Sequence, residues 1–189
     1  MAKPSQWKMN PMRTRSISTF LAALSLAGSA MAQQHPHGSP TNPPTKALAA
    51  QSVSDLQTGK GMGMAMAAEL NGYPGPTHVL ENANALQLTQ EQKEKLTSQI
   101  DGMRRKAIPL GEQIVAKEEQ LEGLFKSGSV TNESIDHLTA EIAALSGELR
   151  AVHLRTHLDT KATLTPEQIA KYRALRGYDS STAKPMHKH

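Results

Sequence analysis

Two stretches in which apolar residues recur by alternating fours and threes constrain this chain more than anything else in it. In the first, Leu96, Ile100, Met103, Ala107, Leu110, Ile114, Leu121 and Leu124 hold the positions of one repeat. Lys117 stands where one more apolar residue is due, and its stem can lie along apolar surface with the ammonium in water. The second stretch places Ile135, Leu138, Ile142, Leu145, Leu149, Val152 and Thr156 on a matching stripe. Stripes of this period suit helices that pack side chain into gap against another helix. The link at residues 127–130 is short and contains Gly128, so the two helices are antiparallel neighbours. Each arm has a length of about 50 Å at 1.5 Å per residue. Pairing about residue 129 sets His157 opposite Asp101. Pro109 lies inside the first arm, removes one backbone hydrogen bond and predicts a bend there. The fold class is all-α: a long antiparallel helical hairpin with short flanking helices.

Capping signals set the bounds of these helices. In Leu88-Thr-Gln-Glu-Gln92, Thr89 can accept from a free backbone N–H while Gln92 returns a bond to the cap residue. Thr131 is placed to cap the second arm. Leu164-Thr-Pro-Glu-Gln168 repeats the first pattern, with Pro166 at the first helical position, and opens a short helix that stops at Gly177. Another short helix is predicted at residues 77–86. In an antiparallel hairpin the two Leu-Thr-x-x-Gln boxes meet at the open end.

The termini read differently. Lys3, Lys8, Arg13 and Arg15 precede an apolar run at residues 17–28, followed by Ala30-Met-Ala32. That is the pattern of a secretory signal peptide over residues 1–32, cleaved after Ala32, and it predicts a periplasmic protein. The run is too short for a permanent span, and no later segment approaches the ~20 apolar residues a membrane helix needs. The full chain has 21 Lys+Arg against 17 Asp+Glu, and loss of those four bases leaves 17 against 17. A neutral mature chain has no electrostatic footprint for nucleic acid. Removing 32 of 189 residues leaves 157, room for one domain with tails. Residues 33–75, rich in Pro, Gly and Met, read as a disordered lead, residues 76–178 as the hairpin domain, and residues 179–189 as a disordered, His-containing tail.

The paired boxes, Leu88-Thr89-Gln92 and Leu164-Thr165-Gln168, flank a hairpin behind a signal peptide. In this the chain resembles the LTxxQ family of periplasmic stress proteins, with Spy- and CpxP-like chaperones and related heavy-metal sensors of the ZraP and CnrX type. The resemblance spans about residues 73–178. It implies a curved, dimeric, cradle-like fold that works without ATP, holding unfolded client proteins or binding a membrane sensor kinase. The metal-sensing relatives imply His with acidic or Met ligands on the same hairpin.

The side chains themselves support both uses. Val115, Phe125, Leu154 and Leu158 lie off the packed stripe and are candidates for a client or dimer surface. His153 and His157, four apart on one helix face, can chelate a divalent ion such as Zn²⁺, Cu²⁺ or Ni²⁺. Further ligands could come from His78 and Glu81, or from a second subunit. The same spacing also suits two polar residues beside the stripe, and His137 reads as solvated. Met62, Met64 and Met66 carry thioethers, soft ligands suited to Cu(I), though Met is equally an adaptable apolar residue. His35 with His37, and His187 with His189, are possible weak scavengers. Catalysis has no motif: there is no Cys and no nucleophile elbow, and Glu118, Glu119 and Glu141 read as solvated faces. The expected activity is a chaperone or stress adaptor that requires no cofactor and is no enzyme, with a metal-binding sensor or resistance protein as the alternative.

Overall fold

The computed structural model describes residues 43–178. The predicted signal peptide, the first part of the predicted lead and the predicted tail lie outside the described residues. Six helices follow in order: α1 (Ala50–Gln57), α2 (Met66–Glu69), α3 (Pro76–Glu81), α4 (Gln90–Ser127), α5 (Asn132–Lys161) and α6 (Pro166–Leu175). No strand occurs among the described residues.

The long hairpin is α4 and α5, and every residue of both predicted stripes is buried or half-buried. Its register is fixed by cross-links between the arms. Lys117 Nζ lies 2.8 Å from Glu141 Oε2, so the apparent break in the stripe is an ion pair and Glu141 is not a freely solvated face. Nearer the open end, the Gln99 amide donates to the Asp159 carbonyl at 3.1 Å and to Thr163 Oγ1 at 3.1 Å. Gly128, at φ 70°, ends α4, with its N–H donating to the Phe125 carbonyl and that of Ser129 to the Leu124 carbonyl. Thr131 and Ser134 then cap α5 reciprocally. Pro109 does not interrupt α4, because it lies on the exposed face where water can satisfy the freed carbonyl.

At the open end the two predicted boxes form and meet. Thr89 accepts from the Gln92 N–H at 3.2 Å, and Thr165 accepts from the Gln168 N–H at 3.2 Å. The two Gln side chains then bond each other: Gln92 Nε2 donates to Gln168 Oε1 at 2.8 Å, and Gln168 Nε2 donates to Gln92 Oε1 at 3.0 Å. Leu88 and Leu164 bury beneath them with Val79, Leu86, Leu96 and Tyr172. Each box therefore starts a helix and joins two helix starts that are 76 residues apart.

Two expectations need correction. The lead is not a disordered segment from residue 43 onward. Val53 and Leu56 of α1 bury against Ala107, Ile114, Val115 and Leu149 of the hairpin. The approach is so close at Gly111 that an added Cβ would sit 2.2 Å from the Leu56 carbonyl oxygen. Glu122 anchors the start of this strap, accepting from Thr45 Oγ1 and, at 2.7 Å, from the Lys46 N–H. The prolines and glycines thus mark turns between short packed pieces. The second correction is that α3 stops at Glu81 instead of continuing to Leu86. The Asn82 side chain donates to the His78 carbonyl at 2.8 Å, a bond that competes with helix continuation.

Candidate metal centre

The two arms leave a cavity of about 280 Å³ between α5 and the turn-rich segment from Gly61 to His78. Helical spacing puts His153 and His157 on its α5 side. The opposite wall is shaped by the α2–α3 connection, where Gly72 takes φ 79° and Pro76 occupies the first position of α3. That path brings the Tyr73 carbonyl to 2.7 Å from His157 Nδ1. A carbonyl oxygen can only accept, so Nδ1 carries a proton, and in the neutral tautomer that this bond selects the lone pair is on Nε2. Gly75 packs on that ring: a Cβ there would lie 3.2 Å from His157 Nε2.

His153 is 5 % exposed, so it is not a solvated residue beside the stripe. Its Nε2 is buried and has no hydrogen-bond partner. Burial holds its pKa below the ordinary histidine value, with a further contribution from nearby His157. The ring is therefore kept neutral, the form that can donate a lone pair to a metal ion.

Glu69 closes the end of the cavity and has no counterpart in the sequence-based expectations. It is 5 % exposed, yet every side of its carboxylate is occupied. Oε2 accepts from the Gly75 N–H at 3.0 Å and lies 3.6 Å from His157 Nδ1. Oε1 accepts from the Tyr172 hydroxyl, with Tyr178 Oη at 3.5 Å and Arg176 Nε at 3.8 Å. Burial and the Glu69 charge push the Tyr172 hydroxyl well above its ordinary range, so it remains a donor. One signal could have found Glu69: no other charged residue occurs between Lys60 and Glu81.

The remaining expected residues divide. His78 lines the cavity, while Glu81 does not and instead holds the ring, with Oε2 2.9 Å from His78 Nδ1. Asp101 is exposed on another concavity with Lys93, Glu94 and Arg105, so the acid beside His157 is Glu69 and not Asp101. His137 has a partner after all, Glu141 Oε2 at 3.4 Å. Of the apolar candidates, Val115 is covered by α1 and Leu154 is half-buried, while Phe125 and Leu158 are exposed. Among the described residues no three His, Asp or Glu side chains stand close enough to hold an ion by themselves. The chemistry of the cavity nevertheless fits a metal: an orphaned imidazole nitrogen, a second imidazole with its tautomer fixed, a third at the rim, and the side chains of Met62, Met66 and Met103. No helix among the described residues is long and apolar enough to cross a membrane.

No curated protein and no solved structure gives a significant match to the chain. The family model described as heavy-metal resistance matches residues 16–171, most of the length, and the chain belongs to that family.

Proposed function

We propose that this chain is an exported heavy-metal-binding protein, a periplasmic sensor or resistance factor of the LTxxQ type, which binds its ion without catalysing a reaction. The observation that carries the reading is His153 Nε2, buried without a partner on a residue that lines a cavity together with His157 and His78. Natural proteins rarely leave such a nitrogen unsatisfied, because the folded state bears its desolvation. A metal ion is a partner that would satisfy it, and Zn²⁺, Cu²⁺ and Ni²⁺ all accept imidazole. Bound there, an ion would tie α5 to the segment before α4, which is the kind of link a sensor requires. Calorimetry with these three ions on the processed chain, beside His153→Ala/His157→Ala, tests the reading. Binding by the native chain that the double variant loses is expected; equally weak binding by both would end it.

A chaperone or adaptor role has narrower support. Phe125 and Leu158 are 57 % and 55 % exposed, as a client or dimer surface requires. They do not form one patch, since Phe125 is beside the hairpin tip and Leu158 is near the far end of α5, roughly 35 Å away at 1.5 Å per residue.

A further inference from the structure

Met62 is held at φ 45°, in the left-handed region that a residue with a β-carbon seldom occupies. It is flanked by Gly59 at φ 67° and Gly63 at φ 75°, so a run of tight turns leads from α1 to α2. In that run the Met64 N–H donates to the Gly61 carbonyl at 2.8 Å, and the Met66 N–H donates to the Gly63 carbonyl at 3.0 Å. Met64 turns inward and packs on the hairpin core, whereas Met62 and Met66 line the cavity and remain about half exposed. A strained backbone that sets a large apolar side chain at a cavity mouth points to a use for that side chain.

We propose that this segment is a thioether flap for a soft monovalent ion, Cu(I), with the sulfurs of Met62 and Met66 joining His153 Nε2 as ligands. The proposal rests on the metal reading above and narrows it to one class of ion. Three observations lead there. No triad of His, Asp or Glu side chains is assembled among the described residues. Thioethers are what else the cavity offers, and they select Cu(I) over Zn²⁺ or Ni²⁺. The charge also fits. Glu69 is the acid on the cavity wall, and its oxygens are already engaged by Tyr172 and the Gly75 N–H, with Arg176 alongside. A neutral imidazole and two thioethers add no negative charge. The desolvation of an ion grows with the square of its charge, so a divalent ion suffers about four times the penalty of a monovalent one of equal size.

The experiment uses the processed full chain carrying His35→Gln, His37→Gln, His187→Gln and His189→Gln, which removes the terminal His pairs as competing ligands. Cu(I) is titrated without oxygen against a chromophoric chelator, Ag(I) serves as an air-stable analogue, and Zn²⁺ is titrated separately. Met62→Leu/Met66→Leu keeps volume and apolar character at two half-exposed positions, and circular dichroism verifies its helix content. The expected result is Cu(I) and Ag(I) affinity lower by about 100-fold in the double variant, with Zn²⁺ affinity unchanged. Copper K-edge absorption should show sulfur scattering in the parent chain that disappears in the variant. Unchanged Cu(I) affinity in the variant overturns the flap while leaving the metal reading intact. Zn²⁺ binding without Cu(I) binding in the parent does the same. If the parent binds none of these three ions, and neither Cu²⁺ nor Ni²⁺ in the calorimetry above, both readings fall.

Discussion

A buried imidazole nitrogen without a partner raises the free energy of the folded chain, and His153 Nε2 is one. Leaving such a group unmatched costs about 1–3 kcal/mol. His153→Leu should therefore stabilise the metal-free protein by about 1 kcal/mol, since Leu fills similar volume with no polar atom to satisfy. The same variant should lose metal binding. Paired denaturant melts and metal titrations check this, and a variant that is both less stable and still metal-competent would contradict it. His153 and His157 were legible as a pair because helix spacing is local. The burial of His153 was not, because Gly61, whose Cβ position lies 3.7 Å from the ring, is 92 residues earlier in the chain. Glu69 escaped for the same reason: its principal partner, Tyr172, is 103 residues away.

At the level of elements, what could be read in advance was what the chain writes locally. Thr89, Thr131 and Thr165 announced three helix starts, and all three cap as reciprocal boxes. Helix α1 gave no such notice, since Ala49 offers no side-chain cap and only Val53 and Leu56 bury. Its order comes from tertiary packing, chiefly the contact of its backbone with Gly111. Gly111→Ala should therefore release α1 even though alanine favours helix at that position in α4. The clash is with the Leu56 backbone, which cannot move aside as a flexible side chain would. Re-exposing Val53 and Leu56 gives up about 1.5–3 kcal/mol for each side chain. Hydrogen exchange should show lost protection in Ala50–Gln57, with α5 still protected around Leu149. Retained protection in α1 would show that the strap tolerates the methyl group.

On the scale of the described molecule, two separate apolar clusters hold the structure. One joins α1 to the middle of the hairpin, and the other fills the open end under α3 and α6. The cavity touches both, through Met103 beside the first and Tyr178 beside the second. An ion held there should stabilise the fold by linkage, about 2.7 kcal/mol when free metal is 100 times Kd. At roughly 2–4 °C per kcal/mol for a chain of this size, calorimetry should record a clear rise in Tm with the ion. No rise at saturating metal would place binding outside the fold. The hairpin was legible because its stripes and caps repeat along the sequence, whereas the cavity is assembled from segments that share no period. The bond from Tyr172 to Glu69 has a last consequence, for timing. A carboxylate near the start that is satisfied by a hydroxyl near the end stays unsatisfied until almost the whole chain is available. A polypeptide threaded unfolded through a membrane therefore crosses with this receptacle still unbuilt. If this chain is exported unfolded, as its N-terminal pattern predicts, an ion bound there comes from the compartment where its final helix closes.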